Sequence, residues 1–296
     1  MTTRALVLGG GGPVGIAWES GLIAGLARRG VDLGKADFTM GTSAGSFVGA
    51  RLAMGADAST LADPILAEVE RTASAPREGQ ARAPADLSKL MELMAQSRDG
   101  RRNPAEVRAE IGAFALAADT PSEDEFIASF GRAFADLPET AWPERGFACT
   151  AVDAVDGGFK LWTKESGVGV ARAVASSCSV PGVYPPVTLG GRRYIDGGMR
   201  SPTNADMASG YDLVVVVALR LGASAGAAAA GIEAQFDQEI ESLKEGGATV
   251  VVLTPDDASV AAFGPNLMDF RRRGAAARAG LAQGAGHAED LKVFWS

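Results

Sequence analysis

The sequence predicts an α/β fold, a three-layer α/β/α sandwich around a mostly parallel sheet with a helical insertion, and three observations carry that reading. Short apolar runs alternate with helix-length segments along much of the 296 residues. Two of these runs, in Leu213 to Val217 and Val250 to Leu253, are continuously apolar, which suits central strands covered on both faces. Glycine-rich turns stand where strands hand over to helices, at Gly9 to Gly15 and at Gly41 to Gly45. With 47% hydrophobic residues the chain is long enough to bury a large core, and residues 1–296 read as a single domain.

The elements follow in order. Ala5 to Leu8 reads as a buried strand that runs into Gly9-Gly10-Gly11-Gly12-Pro13-Val14-Gly15 and then a helix from Ile16 to Arg29. A second strand, Phe38 to Met40, meets Gly41-Thr42-Ser43-Ala44-Gly45 and a further helix. From about residue 57 to 143 strand signals give way to helical periodicity, which defines the insertion, with the linker-like Ser74 to Pro84 as its hinge. Leu87, Leu90, Met91, Leu93 and Met94 fall on one side of a helix there, and Phe126, Ile127, Phe130 and Phe134 on one side of another. Both stripes are read as core, with a lid or acyl channel as the alternative. Strands resume at Phe147 to Val152, Phe159 to Trp162, Arg193 to Ile195, Leu213 to Leu219 and Thr249 to Leu253. The segment Gln283 to Asp290 is small and polar and reads as a helix end or a tail.

The chemistry concentrates in Gly41 to Gly45. This is a G-x-S-x-G pattern at a strand-to-helix junction, where a sharp turn exposes the serine and the glycines let the backbone close up. Gly222-Ala223-Ser224-Ala225-Gly226 fits the same pattern, but it opens a low-complexity stretch and has no oxyanion donor nearby in the sequence. Ser43 does, because the glycine run after the first strand presents bare N–H groups ahead of a helix, and the amide of Ala44 adds another. The same run, Gly10 to Gly15, also reads as a dinucleotide fingerprint, yet no acidic residue ends the second strand to hold a ribose. For a base, the chain offers one histidine, His287, in surroundings that suggest a solvated surface position. The alternative is the strand-end carboxylate of Asp196-Gly197-Gly198, which by itself also reads as an ordinary turn.

Taken together, these segments resemble the bacterial patatin-like phospholipases. Leu8 to Gly15 is similar to that family's glycine-rich oxyanion loop, Gly41 to Gly45 to its elbow, and Asp196-Gly197-Gly198 to its aspartate motif. Ala175 to Val187 resembles the small-residue and proline-rich stretch before the aspartate. The resemblance implies a serine acyl hydrolase of lipid or phospholipid esters that works through a Ser43–Asp196 dyad and an acyl-enzyme. It assigns oxyanion donors to Gly10, Gly11 and Gly12, with Gly15, Gly41, Gly45, Gly197 and Gly198 in support, and it leaves His287 dispensable. Two departures stand out. Val14 occupies a position that is usually basic, so an arginine placed there is expected to favour anionic phospholipid, and Met199 to Asp206 replaces the family's pattern, with Thr203 or Asn204 read as a helix cap.

Composition narrows the partners. A net charge of −8 argues against nucleic acid, and no cluster of ligating residues suggests a metal or other cofactor. The expected partner is a lipid ester, with transient contact at a membrane surface, where Arg271-Arg272-Arg273 is either a headgroup contact or a solvated helix face. Cys149 and Cys178 are read as buried thiols of a cytoplasmic protein, and the oligomeric state is left open. A nucleotide-binding protein and a silent lipid-binding relative are the alternatives.

Overall fold

A computed structural model describes residues 2–73, 87–98, 101–134, 137–220 and 227–295. The Ser74 to Pro84 hinge and the Ser224 pattern lie outside the described residues. The strands are β1 (Arg4–Leu8), β2 (Phe38–Gly41), β3 (Gly146–Asp153), β4 (Phe159–Trp162), β5 (Val187–Leu189), β6 (Arg192–Asp196), β7 (Leu213–Val217) and β8 (Thr249–Leu253). They form one sheet in the order β5-β6-β3-β2-β1-β7-β8, with β4 also paired to β3. From β3 through β2, β1 and β7 to β8 every pairing is parallel. β4 and β6 run antiparallel to β3, and β5 antiparallel to β6.

The helices are α1 (Gly12–Arg28), α2 (Ala44–Ala53), α3 (Asp63–Ala73), α4 (Ser88–Arg98), α5 (Pro104–Ala117), α6 (Glu123–Ser129), α7 (Gly131–Phe134), α8 (Val170–Ser177), α9 (Ala227–Glu245), α10 (Asp257–Phe263) and α11 (Arg273–Trp295). The three layers follow from strand alternation, since successive side chains leave a strand on opposite faces. Leu6, Leu8, Val215 and Val217 pack with Leu22 and Leu26 of α1 and Ala276, Ala277 and Leu291 of α11. Ala5, Val7, Val214 and Val216 point the other way, onto Phe236, Ile240 and Leu243 of α9. Each fully buried Leu, Val or Phe contributes about 1.5–3 kcal/mol of transfer free energy, so both faces favour this register over a one-residue slip.

Three elements differ from the sequence reading. The segment 283–290 is neither a helix end nor a tail: it lies inside α11, which packs closely along α1, with Gly21 and Gly25 against the backbone of Ala277 and Leu281 and with Gly280 and Gly284 against that of Trp18 and Leu22. β5 was not expected, yet Gly190 and Gly191 both adopt positive φ, 57° and 76°, as a tight two-residue hairpin turn into β6 requires. Met91 is 55% exposed while Leu90 and Leu93 are buried against Val107 and Ile111 of α5. One residue advances 100° around a helix, which carries Met91 off the edge of the stripe.

Candidate active site

Strand β2 ends in Gly41, and the chain turns at Ser43 into α2. Ser43 has φ 52° and ψ −116°, a strained conformation for a residue with a side chain, of the kind that costs about 1–3 kcal/mol. Its neighbours hold it there. The Ser43 amide donates to Ser177 Oγ at 2.9 Å, and its carbonyl accepts from Ser46 Oγ at 2.6 Å and from Cys178 Sγ at 3.1 Å. Gly45 seals the elbow against β1, its amide donating to Gly9 O at 2.9 Å. A Cβ there would fall 2.1 Å from Leu8 O, so any side chain would push the two apart. Gly41 and Gly197 lie nearly as closely against Ser46 and Thr150, and Gly15 more loosely, its Cβ position 3.3 Å from Ala44 Cβ.

Asp196 ends β6 and is 2% exposed. Its carboxylate accepts from the Gly198 amide at 2.7 Å and lies near enough to the Ser43 hydroxyl for that group to favour its ionised form. Burial raises its pKa from 3.8 to about 7, and the opposing influence of Ser43 and the Gly198 amide pulls it back only in part. The structure thus brings Ser43 and Asp196 together, 153 positions apart in the chain (196 − 43). It does not bring His287 to them. Gly284, one turn before His287, meets Leu22 O and Leu26 N, ten to fourteen residues along α1 from Gly12. At 1.5 Å per residue that is roughly 15–21 Å from the glycine loop.

The oxyanion assignment needs one correction. Gly10 donates its amide to Pro202 O at 2.7 Å, so that N–H is already used. The amides of Gly11, Gly12 and Ala44 have no backbone acceptor among the described residues. Gly12 and Ala44 line the cleft beside Ser43 at the N-termini of α1 and α2, where partial positive charge favours an anion. Val14 is also corrected. It is fully buried in the α1 core and does not face the cleft, so an arginine there would not meet a headgroup.

Sequence reasoning missed Asn204. Read as a cap, it makes no side-chain cap bond to the turn that follows. It is fully buried at φ 48°, and its Nδ2 donates to Thr42 Oγ1 at 3.0 Å, Ser201 O at 2.7 Å and Gly197 O at 3.4 Å. One amide therefore ties the residue before Ser43 to the residue after Asp196. Glu239 of α9 braces the same segment, accepting from Thr203 Oγ1 at 2.6 Å and from the Ala205 amide at 2.9 Å. The partial signal in the sequence was Asn in a polar run after Asp-Gly-Gly, but its partners are far away in the chain.

Ser43 opens into a cleft of about 680 Å³ whose walls include Ile16, Phe47, Ile65, Phe126, Phe130 and Tyr184. Phe126 stacks on Tyr184 at 4.5 Å between ring centroids, and Phe47 meets Phe130 at 5.8 Å. Phe126 and Phe130 of the second stripe thus line the cleft while Ile127 and Phe134 pack in the core behind it, and among the described residues none of Leu87, Leu90, Met91, Leu93 and Met94 lines it. A strained serine, a facing buried carboxylate, free amides and an apolar cleft form the apparatus of an ester hydrolase.

Residues 6–209, more than half of the chain, match the patatin-like phospholipase family, and the chain belongs to that family of lipid-ester hydrolases. Among solved structures it overlays on VipD from Legionella pneumophila with a TM-score of 0.48 and 15% identity, covering 98% of this chain and 67% of that one. For the type III effector ExoU the TM-score is 0.41 at 20% identity, with 99% of this chain and 54% of that one covered. A chain of the ExoU–SpcU complex from Pseudomonas aeruginosa gives 0.40 at 17% identity, with 98% and 52% covered. The chain thus spans about half the length of these ExoU-containing matches. No curated protein matches significantly in sequence. Among the described residues no helix is long and apolar enough to cross a membrane.

Proposed function

We propose that the chain is a serine acyl hydrolase that cleaves lipid carboxylic esters through an acyl-enzyme on Ser43. The observation that carries this reading is the placement of the strained Ser43 beside the carboxyl of Asp196, whose burial raises its pKa to about 7, within reach of neutral pH. Asp196 takes the serine proton as Oγ attacks the ester carbon. The negative charge that builds on the carbonyl oxygen is met by the amides of Gly11, Gly12 and Ala44, a type of interaction worth several kcal/mol. Asp196 then passes the proton to the departing alkoxide. In the second half it removes a proton from water, which attacks the acyl-serine carbon; as the acyl C–Oγ bond breaks and the acid leaves, Asp196 returns that proton to Ser43 Oγ.

Under this reading one domain carries the chemistry, and the helical insertion at about 57–143 supplies much of the acyl wall through Ile65, Phe126 and Phe130. Phe270, 57% exposed on the cleft rim beside Arg271 and Arg272, is the contact to a lipid surface. The free, buried thiols of Cys149 and Cys178 fit a cytoplasmic protein that works peripherally at membranes. The test is hydrolysis of a long-chain ester in detergent micelles by the wild type and by Ser43→Ala. Turnover lost in the alanine variant, with the melting temperature kept, supports the reading, and turnover retained refutes it.

A further inference from the structure

We propose that Arg51 forms an anion subsite in the cleft that binds the phosphodiester of a lipid headgroup, making the ester at Ser43 that of a phospholipid and not of a neutral glyceride. The proposal rests on the hydrolase reading above. Arg51 lies on α2 eight residues after Ser43, which at 1.5 Å per residue puts it roughly 12 Å further along the helix axis. It lines the same cleft, with its guanidinium carbon 6.0 Å from the centroid of the Phe47 ring.

What sets Arg51 apart is that its donors are unspent. The other two arginines of the cleft are engaged: Arg273 pairs with Glu68 at 2.9 Å, and Arg71 donates to Ala67 O at 3.3 Å. Arg51 has no carboxylate or hydrogen-bond acceptor for its guanidinium among the described residues. It is also half-buried, and burial pulls its pKa below the ordinary arginine value. A partly desolvated cation with a planar fork of donors and no partner is poised for a planar or tetrahedral oxyanion. In a chain of net charge −8, such a group gives a local attraction opposite to the overall field.

Distance selects the phosphodiester. In a glycerophospholipid the phosphorus stands about five bonds from the carbonyl carbon of the central ester, roughly 6 Å at ordinary bond lengths. An extended arginine carries its guanidinium carbon about as far from its Cα, again roughly 6 Å. The two spans together bridge the separation along α2, with the acyl chain left to Phe126 and Phe130. A diacylglycerol bound in the same pose would leave the guanidinium without a partner.

The experiment compares kcat/KM for a phosphatidylglycerol and for a diacylglycerol of the same acyl chains, each in the same detergent micelles. In Arg51→Gln the phospholipid-to-glyceride ratio is expected to fall at least tenfold. Arg51→Lys, which keeps the charge but loses the fork, is expected to fall between Arg51→Gln and the wild type. An unchanged ratio, or equal losses on both substrates, overturns the proposal. Calorimetry on the Ser43→Ala protein tests the subsite without turnover: sn-glycerol 3-phosphate should bind, and binding should be lost when Arg51→Gln is added. If the wild type hydrolysed neither lipid, the hydrolase reading would fail while this binding result still judged the subsite. Equal binding with and without Arg51, or inorganic phosphate bound as tightly as the glycerol ester, overturns the headgroup assignment.

Discussion

Replacing Asp196 by asparagine is the perturbation whose size follows most directly from the structure. The residue is 2% exposed, and burial raises it from 3.8 to about 7. At 1.36 kcal/mol per pH unit, the fold disfavours its ionised form by roughly 4 kcal/mol. The Cys178 thiol, which burial pushes up, does not share this titration. If ionised Asp196 is the base, kcat/KM should rise about tenfold between pH 6 and pH 8 and level off above, following a single group near 7. An unburied carboxylate would give a flat profile over that range. Asp196→Asn should lower kcat by about 10² to 10⁴ and abolish the inflection. Stability gives an independent check with a definite sign. The folded carboxyl holds its proton more tightly than the unfolded one, so its contribution is fully present below pH 3.8 and is lost as pH rises through about 7. The wild type should therefore lose stability over this window relative to Asp196→Asn. A flat activity profile in the wild type, or an inflection that survives in Asp196→Asn and disappears in His287→Ala, would refute the reasoning.

Three further outcomes are expected. Asn204→Gly keeps the positive φ but removes the amide that ties Thr42 to Gly197, and steady-state kinetics should show kcat lowered about ten- to hundredfold with KM little changed. A loss confined to KM would contradict the positioning role. Glu19→Met should raise the melting temperature, because Glu19 is fully buried with neither carboxyl oxygen hydrogen-bonded among the described residues, and removing such a group is worth about 1–3 kcal/mol. Since the fold raises its pKa, the gain should grow as pH rises, and a thermal scan from pH 6 to 9 checks the trend. Phe130→Glu should depress turnover of a long-chain ester by more than tenfold relative to a short one, by charging the apolar wall beside Ser43. Equal effects on both chain lengths would remove Phe130 from the acyl path.

The elbow and the aspartate turn were legible because each is a local device. Glycines around Ser43 and after Asp196 mark backbone that must pack tightly, and that requirement is written within a few residues. Sheet and layers were legible for a similar reason, through the alternation of Ala5 and Val7 with Leu6 and Leu8 onto two faces. What could not be read depends on who meets whom. Asn204 bonds to Thr42, 162 positions away, and nothing near residue 204 announces that partner. The Gly10 amide looks free in sequence and is taken by Pro202 only once the chain folds. The last helix was obscured by its composition, since small residues that suggest a tail are also what lets α11 close onto α1. Arg51 carried no signal because a lone arginine in a helix has no pattern until its cleft exists.

The central claim is that Ser43 is an activated nucleophile, and the most direct measurement is mass spectrometry after treatment with a fluorophosphonate. On the proposed mechanism Asp196 takes the Ser43 proton, and the amides of Gly11, Gly12 and Ala44 hold the phosphonyl oxygen as they would the carbonyl oxygen of an ester. The account predicts a single adduct on the peptide that contains Ser43, formed in step with loss of esterase activity, absent in Ser43→Ala and slowed in Asp196→Asn. Labelling at another serine, or an unlabelled Ser43 in protein that still hydrolyses esters, would contradict it.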